Sequence, residues 1–145
     1  MNLLTSIHIS SSGLKAERTR LNVASMNLAN VHVTRTIDGG PYRARSVVFE
    51  STPLEDDFGA HLSEAMKNDL QIVKVVDIVE DPGPFKEVFD PSHPDADERG
   101  IVKLPNVNVM EQMMDLMTAA RAYEAGVTAM DTAKDMVLKA LEIAR

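Results

Sequence analysis

Residues 109–144, VMEQMMDLMTAARAYEAGVTAMDTAKDMVLKALEIA, decide the fold. Val109, Met113, Leu116, Ala120, Tyr123, Val127, Met130, Lys134, Val137, Leu141 and Ala144 step by alternating fours and threes. Ten of these eleven are apolar, so the spacing predicts a helix with a coiled-coil seam sustained for about five heptads. Asn108 and Glu111 are placed to act as N-cap and N3 partner of a capping box. Such a helix is about 54 Å long at the α-helical rise. Gly126 lies inside it, where glycine is ~1 kcal/mol less favourable than alanine.

At the other end of the chain, Ile7, Leu14, Leu21 and Leu28 recur every seven residues, with Leu3 and Ala24 at intermediate positions. This predicts a second amphipathic helix over 3–30. Ser10, Ser11, Ser12 and Gly13 are poor helix-interior residues, so the first ten positions are expected to fray or form a separate turn. The terminal segments have opposite formal charges, positive over 1–30 and negative over 107–145, which mildly favours their pairing.

Between them the chain changes character. Asp38-Gly39-Gly40-Pro41 is a turn signal. Tyr42 to Glu50 reads as a strand, residues 51–69 as a polar loop, and Leu70 to Glu80 as a second strand rich in Val and Ile. Pro82-Gly83-Pro84 ends it. Phe85 to Phe89 alternates like a half-buried strand, Pro91 to Gly100 is an acidic loop, and Ile101 to Leu104 is a last short strand. The expected class is α+β: long N- and C-terminal helices around a small β-rich insert. The expected division is 1–30 and 107–145 as a terminal coiled-coil region, with 31–106 as the insert. The small insert cannot cover so long a helix. Its seam needs the N-terminal helix, copies of itself, or both, so the chain is built to assemble or is disordered until it does.

Composition narrows the function. A formal net charge of −7 disfavours nucleic acid and anionic lipid. There is no Cys for a disulfide or thiolate site, and nine Met suit adaptable helix packing. No apolar run is long enough to span a membrane. A basic start, apolar stretch and cleavage site are missing from the N-terminus, so no cleavable signal peptide is expected. His8, His32, His61 and His93 form no metal-binding spacing, and there is no phosphate loop. Asp95-Ala96-Asp97-Glu98-Arg99-Gly100 is partly spaced like a calcium loop, but Arg99 and Asn106 stand where oxygen ligands are needed. No enzyme activity, catalytic residue, metal or cofactor is expected.

Four strings carry a family resemblance. They are Ser12-Gly13-Leu14 through Asn27-Leu28-Ala29-Asn30, Gly39-Gly40-Pro41-Tyr42-Arg43 leading to Phe49-Glu50, Val79-Glu80-Asp81-Pro82 through His93-Pro94-Asp95-Ala96-Asp97, and Pro105-Asn106-Val107-Asn108-Val109 with Arg121-Ala122-Tyr123-Glu124-Ala125. Together they resemble the FlgC-type flagellar rod family over most of the chain, with residues 51–69 outside. Met26, Gly126 and Leu104 depart from the family's usual small, Asn and aromatic residues.

The resemblance implies a structural subunit of the flagellar basal-body proximal rod. Its terminal helices would form an inner coiled-coil layer with the insert outward. It implies export through the flagellar type III apparatus and residence in the periplasm-spanning rod, in place of the cytoplasm. Its partners would be other copies in a helical rod and neighbours of the FlgB, FliE and FlgF type. The assembly surface would draw on Leu14, Leu21, Asn27, Leu28, Asn30, Val109, Met113, Leu116, Ala120, Tyr123, Val127, Met130, Val137 and Leu141. Two alternatives remain: a distal rod or hook relative, and a soluble coiled-coil adaptor or secretion chaperone.

Overall fold

The structure is a computed structural model that describes residues 3–37, 39–53 and 70–143. The elements in chain order are α1 (Leu3–Ala29), β1 (Arg45–Pro53), β2 (Gln71–Glu80), β3 (Lys86–Phe89), β4 (Ile101–Leu104) and α2 (Val109–Ile143). The class is α+β, with two long helices and two small antiparallel ribbons, β1–β2 and β3–β4.

The helices run antiparallel. Asn27 of α1 meets Gln112, Arg20 meets Asp115, and Leu14 meets Gly126, so the start of α2 lies beside the end of α1. Asn108 caps α2, its Oδ1 accepting from the Met110 amide at 3.2 Å. α1 is continuous from Leu3, which corrects the expected fraying over its first ten residues. Tertiary contact overrides the weak propensity there. Ala16 is buried, and the Ser12 hydroxyl donates to Ile9 O while accepting from the Val73 amide of β2.

In the first ribbon Arg45 lies opposite Glu80 and Pro53 opposite Gln71. Val48 pairs with Asp77 and Phe49 with Val75, so Val76 is an extra, bulged residue. β1 starts later than expected because Tyr42 and Ala44 make a junction instead. It also runs on through Ser51–Pro53, where a loop was expected; Pro53 closes the strand, where a missing N–H is tolerated. The remainder of that expected loop, residues 54–69, lies outside the described residues. β3 was expected to be half-buried, but all four of its residues are exposed, and the buried residue of this ribbon is Val102 of β4. The β3–β4 connection reverses at Gly100, whose φ of 75° and close approach to Phe89 and Pro91 leave no room for a side chain.

The buried apolar residues are mostly small: Ala16, Val23, Ala24, Ala44, Ile72, Val102 and Ala119. Large apolar side chains lie mainly on the surface, which sets up the site.

Candidate assembly surface

At one end of the helix pair sits a polar junction centred on Asn27, which is 0% exposed. Its Nδ2 donates to Arg45 O at 2.7 Å and to Gln112 Oε1 at 2.9 Å. Its Oδ1 accepts from the Tyr42 hydroxyl and the Arg45 amide, both at 2.9 Å. Every hydrogen-bonding position of this amide is therefore filled, and one side chain ties α1 to β1, to α2 and to Tyr42. Asn27, expected on the assembly surface, is buried in the single chain, and its hydrogen-bond partners at this junction are all within the chain. Asn30 closes α1, its Nδ2 donating to Met26 O at 2.8 Å.

The other strings named above also build this junction. Gly39 and Gly40 have φ of 87° and 81°, a backbone that favours glycine, and turn the chain so that the Tyr42 amide reaches Val33 O. The Ala44 amide donates to Asn106 Oδ1, and Ala44 O accepts from the Asp81 amide. The Arg43 guanidinium donates to Asp81 O and lies 4.3 Å above the Phe85 ring. Further along, Thr34 Oγ1 donates to Asp95 Oδ2 at 2.7 Å. Asp97 Oδ1 accepts from the Arg99 and Ile101 amides. The acidic loop is thus closed by its own backbone. Serine hydrogen bonds hold the Asp90 carboxyl below the usual carboxylate range.

Between the helices the seam differs from its expected register. Val109, Leu116, Tyr123, Met130 and Val137 are half-buried in it, as expected. The other positions of this contact are Gln112, Ala119, Gly126 and Ala133, one residue before Met113, Ala120, Val127 and Lys134 of the apolar seam. Ala119 is 0% exposed, whereas Met113, Val127, Lys134 and Leu141 are exposed and Ala120 is half-buried. The physical reason is close approach. Small residues let α1 come near, and a Cβ on Gly126 would lie 2.9 Å from Leu14 Cδ2. Leu14, Leu21 and Leu28 of α1 are half-buried. Counting apolarity favours the bulkier neighbour at each step, which is why Gln112, Ala119 and Gly126 were missed. One signal was available: Gly126, costly in a helix interior, marks a close contact.

One ion pair crosses the seam, from Arg20 to Asp115, with Glu17 on the far side of Arg20. The hydrogen bond to Asp115 raises the Arg20 pKa further above its already high ordinary value. A groove of about 430 Å³ opens beside this pair, lined by Val23, Arg45, Phe49 and Glu111 among others. Among the described residues no group of three or more His, Asp or Glu is placed to hold a metal.

Large apolar side chains also remain outside. Met110, Met114 and Met117 are 70%, 60% and 56% exposed, and Val127, Leu138 and Leu141 continue along α2. On the ribbons Phe49, Val76 and Phe89 are exposed too. Large exposed apolar area of this kind marks an interaction surface. No helix among the described residues is long and apolar enough to cross a membrane.

Comparison with known proteins agrees with that geometry. Residues 7–35 match the family described as "Flagella basal body rod protein", and residues 98–143 match "Flagellar basal body rod FlgEFG protein C-terminal". The chain is 42% identical to the flagellar basal-body rod protein FlgC of Borreliella burgdorferi, over 99% of this chain and 98% of that one. It is 41% identical to FlgC of Bacillus subtilis, over the full length of both. FlgC of Aquifex aeolicus is 37% identical, with 98% of this chain and 97% of that one covered.

Proposed function

The chain belongs to the FlgC family of flagellar basal-body rod proteins, and from that premise we propose how it builds the rod. It is a structural subunit of the proximal rod, and its relatives are rod proteins rather than enzymes. The terminal regions 1–30 and 107–145 form the inner layer, and residues 31–106 face outward. The observation that carries this reading is the set of large apolar side chains that α2 leaves exposed after the chain's own helices have paired, Met110, Met114 and Met117 near its start and Val127, Leu138 and Leu141 further along. Rod neighbours of the FlgB, FliE and FlgF type and further copies of the chain cover it.

A rod must transmit torque. Long helices joined through interdigitated seams resist bending, and contacts between unlike surfaces extend into a tube instead of closing. The chain reaches the rod through the flagellar type III export apparatus, threading unfolded. Its mature place is the periplasm-spanning basal body. The small buried core supports this route, since few large side chains must be exposed to unfold it.

Cryo-electron microscopy of isolated basal bodies from the source bacterium tests the reading. The expected result is this chain traced in the proximal rod with α1 and α2 lining the inner layer. A rod map in which no density fits the chain, or one with the ribbons inside, overturns it.

A further inference from the structure

Each helix carries a second stripe at heptad spacing, turned to solvent. On α1 it runs through Ser11, Lys15, Arg18, Asn22, Ser25 and Ala29, every one exposed. It holds two cations and no carboxylate, and neither cation has an ion-pair partner among the described residues. On α2 the outward stripe starts at Met110, Met114 and Met117 and continues through Glu124 and Asp131 to Asp135, all exposed. Arg121 is the lone cation among its acids.

We propose that the outward stripe of α2 is covered by the outward stripe of α1 from a second copy of this chain. The proposal rests on the rod reading above and names the partner and faces of that assembly. Three observations support it. The charges are complementary, the cations lying on one helix and most of the acids on the other, so the pairing selects its own partner. The two stripes have the same period, so two helices stay in contact along their length. The α1 stripe is made of small and polar residues, and the long, adaptable side chain of Met117 on α2 can lie across Ala29.

Direction and register follow. Copies related by rotation and translation along a rod axis keep the same sense. Because α1 and α2 are antiparallel within one chain, α1 of one copy meets α2 of the next antiparallel. In the unshifted register, with Asn27 level with Gln112 as in the chain itself, Arg18 faces Arg121. A slide of one heptad, about 10 Å, removes that repulsion. It sets Lys15 opposite Asp131, Asn22 opposite Glu124 and Ser25 opposite Arg121. The two surfaces differ, so the contact is open-ended and repeats from copy to copy.

Cysteine trapping tests this cleanly, because the chain has no Cys of its own. Ser25→Cys with Arg121→Cys, and separately Ser11→Cys with Asp135→Cys, are expressed in the source bacterium lacking its own copy. Basal bodies are isolated, oxidised and run without reductant. A band at twice the chain's mass from either pair is the expected result. Chain that is present in basal bodies but stays at monomer mass with both pairs overturns the proposal, as does an adduct to a different protein. In a second arm, Lys15→Glu with Arg18→Glu is expected to lower the chain recovered in basal bodies at least tenfold. Adding Glu124→Lys and Asp131→Lys is expected to restore it, and failure of that restoration counts against the pairing. Absence of the unsubstituted chain from basal bodies would overturn the rod reading itself.

Discussion

Leu14 of α1 fills the space left by the missing side chain of Gly126 on α2, with a Cβ on Gly126 falling 2.9 Å from Leu14 Cδ2. The two positions are 112 residues apart in sequence, yet each explains the other's identity. In an open helix Gly126→Ala would gain ~1 kcal/mol of propensity. Here that gain is offset because the Leu14 methyl must move. A double-mutant cycle with Leu14→Ala should give a coupling of about 0.5–3 kcal/mol in urea unfolding. Strict additivity would mean the two side chains do not share this space.

Asn27 leads to a larger effect. Asn27→Ala strands the Tyr42 hydroxyl, the Arg45 amide and carbonyl and the Gln112 side chain together. An unsatisfied buried group costs about 1–3 kcal/mol, so the variant should lose several kcal/mol. By contrast Arg20→Ala removes a partly exposed ion pair and should cost roughly 0–1 kcal/mol. Chemical denaturation followed by circular dichroism ranks the two, and equal losses would sink this account of the junction.

Burial pushes the Tyr42 phenol above its ordinary pKa of 10.0, with the positive charge of Arg45 opposing. The fold therefore holds this proton more tightly than the unfolded chain does. The stability so contributed is present in full below pH 10 and is lost as pH rises through the raised folded value. In a Tyr123→Phe background, phenolate absorbance should rise with a midpoint above that of free tyrosine. A midpoint below it contradicts the burial.

The seam register separates folding from assembly. Leu116→Asp places a carboxylate inside the helix pair and should unfold the isolated chain, at a cost of several kcal/mol. Val127→Asp lies on the exposed side, so the isolated chain should keep its melting temperature within a few degrees while the cells stop swimming. Should Val127→Asp melt the chain as severely as Leu116→Asp, the register described here is wrong.

Much of this was legible in the chain. The two long helices, the approximate positions of the four strands and the α+β class follow from periods of 3.5 and 2 and from Gly and Pro punctuation. Two things were not. The seam was misplaced by one position at alternate steps because α2 is apolar on two sides: Met113 and Val127 look more buried than Gln112 and Gly126. Hydrophobicity alone cannot say which side meets the chain's own partner. Asn27 was recognised as important but given an outward role. Its partners Tyr42, Arg45 and Gln112 are 15, 18 and 85 residues away, and no local pattern joins them. The weak propensity of Ser10–Gly13 misled for the same reason, since Ser12 is held by β2.

The Asn27 junction ties the helix pair at one end only. Ser12 and Ala16 still touch β2, but among the described residues beyond Met130 only Ala133 and Val137 are even half-buried. Among the described residues no strand braces the far tip of α2, which extends from the clamp as a cantilever. A load applied there acts through a lever arm of some tens of ångströms. Small rotations at the clamp become large sweeps at the tip, and an isolated subunit can sample many approach angles before neighbours brace it.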